Sequence, residues 1–340
     1  LGTLLANYVK VTGFLYDDAD NIIDVTAEDV LTGEQYEMKA DVVVNATGPW
    51  SDETRDKLKE DNTERMLPAK GVHFVVDAAI LPVKHTVYAD TGLEDDRMIF
   101  IIPRGDKTYF GTTDTPYEGD LVEPLVTQAD IDYLLEAVNT RFPEVHLTVD
   151  NIETGWSGLR PLILEEGEKD ASSISRTHDV FVSEAGLVTI AGGKLTDYRL
   201  MAQDTFDQIL IELEQKTGTQ HEKMPTKDIS LSGGELPSDV KFDDFVVDKT
   251  KEGKELGLTE EQARKLVEWY GTNVETVFGL KDQAEQIDLP LDVALSLVYG
   301  LTHEMVISPV DFFLRRTDIL LRPSGAASTP SASVPTNAAS

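Results

Sequence analysis

The residues of this chain best placed to do chemistry are Gly192-Gly193-Lys194. Leu187 to Ala191 reads as a buried strand that breaks at the paired glycines, and a helix is expected to start near Thr196. Glycines at a strand-to-helix junction let a backbone come very close to a ligand. The free N–H groups and positive dipole end of the new helix suit an anion or an electron-rich ring. Lys194 adds a positive charge at the same place. The stretch reads as a docking point for a cofactor or anionic substrate, and equally as an ordinary strand-to-helix turn. Arg160 stands out for a different reason. It lies between Leu159 and Pro161, an apolar setting in which an unpaired guanidinium is costly. Its planar fork matches phosphate oxygens, and an internal ion pair is the competing reading. No two of the six histidines have the spacing of a metal site.

Composition narrows the classes. The 340 residues are enough for two or more domains, and the 41% hydrophobic content is that of an ordinary globular protein. The net charge of -32 repels nucleic acid and anionic lipid, so no nucleic-acid partner is expected. An anionic substrate then requires locally concentrated cations. There is no Cys, which excludes disulfides, thiolate catalysis and Cys-based metal sites, and fits a cytoplasmic protein. No run reaches the roughly 18 apolar residues of a membrane helix. The start, Leu1-Gly-Thr-Leu-Leu-Ala6, has no Met and no basic signal region, so a beginning inside a longer protein is expected.

Elements that could position these groups are legible in order. Residues 1–50 read as β-rich, with a hairpin tip at Thr32-Gly33-Glu34. The apolar run from Asp41 to Gly48 predicts a strand buried on both faces, as in a parallel sheet. A polar helix is expected over 52–59. Strands are expected from Lys70 to Asp77, Met98 to Pro103, Thr108 to Asp114 and Asn151 to Pro161. Thr127 should cap a helix over 129–141. After Arg199 a helix should run through Leu213, followed by a linker over 214–240. Beyond 241 the chain turns helical, with a capping box at Thr259-Glu-Glu-Gln262 and a Ser308-Pro309 helix start. The Ser/Ala/Pro-rich stretch 322–340 has no periodicity and is expected to be disordered.

Six phrases in order then carry a resemblance: Asn45-Ala-Thr-Gly-Pro-Trp50, Lys70-Gly-Val-His73, Phe110-Gly-Thr-Thr-Asp114, Trp156-Ser-Gly-Leu-Arg-Pro-Leu162, Gly192-Gly-Lys-Leu-Thr-Asp-Tyr-Arg199 and Pro309-Val-Asp-Phe-Phe-Leu-Arg-Arg-Thr317. Over about residues 1–321 the chain resembles the FAD-dependent glycerol-3-phosphate dehydrogenases, and most closely the α-glycerophosphate oxidases. The resemblance implies an α/β fold: a split FAD-binding domain of the two-dinucleotide type, an inserted antiparallel substrate domain and an α-helical C-terminal domain. The implied boundaries are 1–65 and 166–213 for the FAD-binding domain, 66–165 for the substrate domain and 241–321 for the helical domain. It also implies that the Gly-x-Gly-x-x-Gly unit for the FAD pyrophosphate precedes Leu1, so that the piece in hand is inactive by itself.

The resemblance further implies FAD as cofactor and oxidation of sn-glycerol 3-phosphate to dihydroxyacetone phosphate. Ala46, Thr47, Gly48 and Trp50, with Gly192, Gly193, Lys194, Leu195 and Thr196, are then the cofactor-binding residues. Arg160, Arg176 and Lys194 hold the substrate phosphate, and His73 and Arg160 are catalytic, His73 as base. Thr112-Thr113-Asp114 is expected to be structural, and Arg315-Arg316 to pair with acids between domains or to form a solvated basic helix end. No metal is expected. Asp197 and the Ser308-Pro-Val-Asp-Phe312 phrase resemble the oxidases, so oxygen giving hydrogen peroxide is the expected acceptor. Membrane quinone is the alternative, with the protein then peripheral on the inner membrane face. A homodimer is compatible with either. An FAD amine oxidase with a carboxylate clamp, or an inactive remnant, are the competing functions.

Overall fold

The computed structural model describes residues 3–59, 64–164, 177–223 and 226–317. They divide into two units, one over 8–223 and the other over 226–317 together with 3–7. The first unit opens with an antiparallel sheet of β1 (Val9–Tyr16), β2 (Ile22–Asp29) and β3 (Gln35–Lys39). The turn before β3 contains Gly33 at a φ of 78°, a value that glycine adopts without steric cost. Next come β4 (Val43–Asn45) and a short helix α1 (Ser51–Arg55), which ends earlier than the 52–59 expectation.

The chain then builds β5 (Met66–Asp77), β6 (Val87–Asp90), β7 (Met98–Arg104), β8 (Lys107–Gly111), β9 (Thr115–Pro116), α2 (Gln128–Arg141) and β10 (Thr154–Ile163). These strands form one antiparallel sheet in the order β10-β5-β8-β7-β6, with β9 also on β5. The chain returns through β11 (His178–Val182), β12 (Leu187–Gly192) and α3 (Tyr198–Thr217). β12 pairs in parallel with β4 and antiparallel with β11. The large antiparallel sheet is thus an insertion between two strands that are neighbours in another sheet, which is the split architecture expected.

Alternation decides what each face of the large sheet does. Val72, Phe74 and Val76 of β5, with Ile99, Ile101 and Phe110, pack against Leu134, Ala137 and Val138 of α2. Each of the larger side chains in this set, fully buried, stabilises the fold by about 1.5–3 kcal/mol. Thr127 caps α2 through a reciprocal capping box with Asp130. Asp130 also holds Lys70, whose Nζ lies 2.6 Å from Oδ2 and donates to the Leu125 carbonyl. Both charges are almost wholly buried, so Lys70 is a core ion pair and not part of a ligand site. β10 runs through Pro161 instead of ending there. It is an edge strand, where the missing N–H of a proline costs no ladder bond.

Two expectations are corrected. The strand at 41–48 pairs in parallel, but it is not buried on both faces: Val44 is 37% exposed, and among the described residues β4 pairs with β12 alone. The helix after Arg199 also outlasts Leu213 and reaches Thr217, where Gly218 at a φ of 68° closes it.

The second unit contains α4 (Phe242–Glu255), α5 (Glu260–Tyr270), α6 (Val274–Gly279), α7 (Lys281–Ala284), α8 (Leu291–His303) and α9 (Pro309–Arg315). Its core includes Leu266, Val267, Val277, Leu295 and Val298. Capping boxes at Thr259 and Ser308 start α5 and α9 as anticipated. Arg315 pairs with Asp311 one turn back on its own helix, and Arg316 with Glu304. Both partners are local to this unit, which corrects the inter-domain pairing expected from sequence.

Candidate active site

β4 and β12 are parallel neighbours, so the loops after them leave the sheet at the same end. Carboxyl ends of parallel strands are where α/β sheets bind ligands. After β4, the buried Asn45 fixes the turn. Its Nδ2 donates to the Ser51 carbonyl, and its Oδ1 accepts from the Thr47 N–H and hydroxyl. This leaves Ala46, Thr47 and Trp50 exposed on the loop, with Gly48 at a φ of 58° and open space where a Cβ would stand.

After β12, Gly192 and Gly193 have φ values of 75° and 77°. A Cβ on Gly192 would stand 2.6 Å from the Thr177 carbonyl oxygen, and one on Gly193 would stand 2.7 Å from the Met201 sulfur. Both positions therefore require glycine on conformation and on space. Lys194, Leu195 and Thr196 follow, all exposed, in a single 3-10 turn over Leu195–Asp197 that precedes α3. Behind the turn, the His178 Nε2 lies 2.7 Å from Asp204 on α3. His178 is the first residue of β11.

The second half of the site is the face of the large sheet turned away from α2. Trp156 lies opposite His73, Gly158 opposite Gly71, and Arg160 opposite Ala69 in the β10–β5 register. Gly111 and Tyr109 of β8, Phe100 of β7 and Tyr88 of β6 share that face. The His73 ring stacks on Trp156 at 5.0 Å, with the rings 10° from parallel. Tyr88 and Phe100 contact each other at 4.5 Å. Burial, and then the positive charge of Arg160, push the His73 imidazole from 6.5 down to about 4. His73 is therefore neutral at physiological pH.

Arg160 is anchored rather than free. Its Nη1 donates to Asp114 Oδ1 at 3.0 Å and to the Thr113 carbonyl at 3.1 Å, and its Nη2 to Thr112 Oγ1 at 3.3 Å. The guanidinium passes over Gly71, where a Cβ would stand 3.0 Å from both terminal nitrogens. The Gly in Lys70-Gly71-Val72-His73 thus makes room for Arg160. Its side chain is still 36% exposed, so part of its donor fork is available to a ligand.

A cavity of about 580 Å³ joins the two halves. It is lined by Arg160, Asp114, Arg97, Phe100, Lys194 and Leu195, among others. The structure therefore brings Arg160, Gly193, Lys194 and Leu195 together. His73 lies two same-face residue pairs beyond Arg160 on the sheet, while Ala46 to Trp50 stand on the neighbouring loop. Arg176 lies outside the described residues. Sequence reading took Thr112-Thr113-Asp114 as structural and missed that it carries Arg160. It also gave no part to Trp156, although the Trp156/Arg160 spacing of four on a strand signals a shared face. Among the described residues no cluster of His, Asp or Glu could hold a metal. No described helix is long and apolar enough to cross a membrane.

Comparison with known proteins agrees with this layout. Residues 1–199 match the model of the FAD dependent oxidoreductase family, and residues 224–332 match the C-terminal domain of alpha-glycerophosphate oxidase. The aerobic glycerol-3-phosphate dehydrogenase of Staphylococcus haemolyticus is 43% identical over 318 residues, covering 93% of this chain and 57% of the relative. That of Bacillus subtilis is 43% identical over 315 residues, covering 92% and 56%. The chain thus spans a little over half the length of these relatives. The crystal structure of the glycerol-3-phosphate dehydrogenase from Bacillus halodurans, complexed with FAD, superposes with a TM-score of 0.81 at 41% identity, over 93% of this chain and 60% of that one. With a split sheet, an inserted antiparallel face and a family match across both, the chain belongs to the FAD-dependent oxidoreductase family, whose cofactor is FAD.

Proposed function

We propose that this chain is part of an enzyme that oxidises sn-glycerol 3-phosphate to dihydroxyacetone phosphate with FAD. The observation that carries the reading is the cavity itself. An anchored Arg160 and an exposed Lys194 border one space beside an aromatic sheet face, in a chain whose net charge is -32. The residues present suit a flavin. Gly48 and Gly158 have no atom within 4 Å of where a Cβ would stand, so a flat ring can approach their backbone. Ala46, Thr47, Gly48 and Trp50 on one loop would hold the cofactor, with Gly192, Gly193, Lys194, Leu195 and Thr196 on the other. FAD, when bound, supplies the hydride acceptor.

The remaining work falls to this chain's side chains. Arg160, held in place by Asp114 and Thr113, offers its remaining N–H groups to the phosphate. Lys194 adds a mobile charge to the same anion, and Arg176 is assigned there on sequence. His73, neutral at pH 7, accepts the proton of the substrate hydroxyl. A base held near 4 is weak, but a phosphate dianion at Arg160 cancels one of the two causes that hold it there. Substrate binding thereby raises the basicity of the group that needs it.

The electron acceptor is oxygen or a membrane quinone; relatives at 42–43% identity are named aerobic glycerol-3-phosphate dehydrogenases. The oxygen reading rests on Asp197 and the Ser308-Pro309 phrase. Turnover of the full-length enzyme with glycerol 3-phosphate under air, and with a quinone under nitrogen, tests both levels. Dihydroxyacetone phosphate should form with at least one acceptor, and its absence with both rejects the substrate. Stoichiometric hydrogen peroxide under air would assign the oxidase.

A further inference from the structure

His73 has no hydrogen-bonded partner to aim its ring. Among the described residues its two nitrogens bond to no protein group. A catalytic base is ordinarily oriented by a third group that holds its other nitrogen. Around His73 the neighbours are aromatic instead.

The imidazole lies flat on the Trp156 indole, with the ring centres 5.0 Å apart and the planes 10° from parallel. Tyr109 of β8 closes the group. Its ring stands edge-on to His73 at 6.3 Å and 65°, and 5.7 Å from Trp156 at 56°. Gly111 faces His73 across the β5–β8 ladder. A Cβ there would stand 2.5 Å from His73 Cδ2 and 2.8 Å from Cγ, so this glycine leaves the ring its place. Alternation along β5, β8 and β10 puts all four residues on one face. The Arg160 guanidinium reaches back over Gly71, one same-face pair from His73, which is about 7 Å of strand. The other charged or titratable groups on this face are Asp114, which holds Arg160, Tyr109, and Lys107, which is paired with Glu153 and Asp77. Of these charges only that of Arg160 acts on the imidazole.

We propose that Trp156 is a positioning residue: its indole, braced by Tyr109, holds the His73 ring in the one orientation that presents a nitrogen to the substrate hydroxyl. The proposal rests on the reading of His73 as the base. The basic lone pair of an imidazole lies in the ring plane, so stacking fixes the plane without consuming the lone pair. A hydrogen-bonding orienter would occupy one nitrogen; the indole leaves both available. Covering one ring face with apolar surface also favours the neutral form that can accept a proton.

The test follows His73 by NMR in the 340-residue chain with labelled histidines. Its ring protons should resonate upfield because they lie over the indole, and the ring should titrate at about 4. In Trp156→Leu the upfield displacement should vanish and the titration should move up toward 6.5. Trp156→Phe keeps a flat face and should restore most of both. In the full-length enzyme, Trp156→Leu should lower kcat for glycerol 3-phosphate roughly 10- to 100-fold with KM little changed, because the phosphate contacts remain. Tyr109→Leu removes only the brace and serves if Trp156→Leu does not fold; it should give smaller changes of the same sign. Native His73 signals or native kcat in folded Trp156→Leu overturns the proposal, as does a loss confined to the melting temperature. Native kcat in His73→Gln rejects the base reading and this proposal with it. An inactive His73→Gln beside a fully active Trp156→Leu rejects the positioning role and leaves the base reading standing.

Discussion

At the scale of single residues, the site depends on how Arg160 and His73 act on each other. His73 has a folded value of about 4 against 6.5 in the unfolded chain. Its neutral form therefore favours the fold above about pH 6.5, and that stability is lost as the pH falls through 4. The loss is on the order of 2–3 kcal/mol. Thermal unfolding from pH 7.5 to 4.5 should show a steeper decline in the native chain than in His73→Asn. Parallel curves would mean that His73 is not held neutral by its surroundings. Phosphate at Arg160 should also raise the His73 value measured by NMR titration. Of these features, the Arg160 candidate was legible in sequence from its apolar neighbours. Asp114 as its partner was not, since 46 residues separate the two and only the β5–β8–β10 packing joins them.

At the scale of elements, two glycines carry specific consequences. Gly71→Ala would place a methyl 2.6 Å from Thr112 Oγ1 and 3.0 Å from the Arg160 guanidinium. The expected result is a displaced Arg160, with glycerol 3-phosphate binding weakened roughly tenfold or more and a modest loss of stability. A change in stability with unaltered binding would place Arg160 outside the anion site. Gly193→Ala meets both a left-handed φ of 77° and the Met201 sulfur, and should cost about 1–3 kcal/mol of stability by urea unfolding. The turn at Gly192-Gly193 was readable because strand, glycine pair and helix start follow one another in sequence. The ion pair of Lys70 with Asp130 was not, because nothing local marks Lys70 as facing α2 and not the ligand. Breaking that pair with Asp130→Asn should cost about 3–5 kcal/mol, since it leaves a buried lysine without its counter-ion.

At the scale of the whole molecule, the chain separates its tasks. The unit over 226–317 builds a core from its own helices. Leu295→Ala there should cost about 2–5 kcal/mol while leaving glycerol 3-phosphate affinity intact. The other unit unites a parallel strand pair with an inserted antiparallel sheet, and the cavity bordered by Arg160 and Lys194 lies where they meet. The resemblance carried by the six ordered phrases implied this insertion. It did not convey that β4 pairs with β12 alone among the described residues, with Val44 exposed, since strand order is not written in hydrophobicity. The most direct test of the account is to add sn-glycerol 3-phosphate, without oxygen, to the enzyme carrying FAD and follow the flavin absorbance. The expected result is bleaching by glycerol 3-phosphate, absent with glycerol and strongly weakened in Arg160→Ala. An oxidised spectrum that persists with glycerol 3-phosphate, or bleaching by an amino acid in its place, would contradict it.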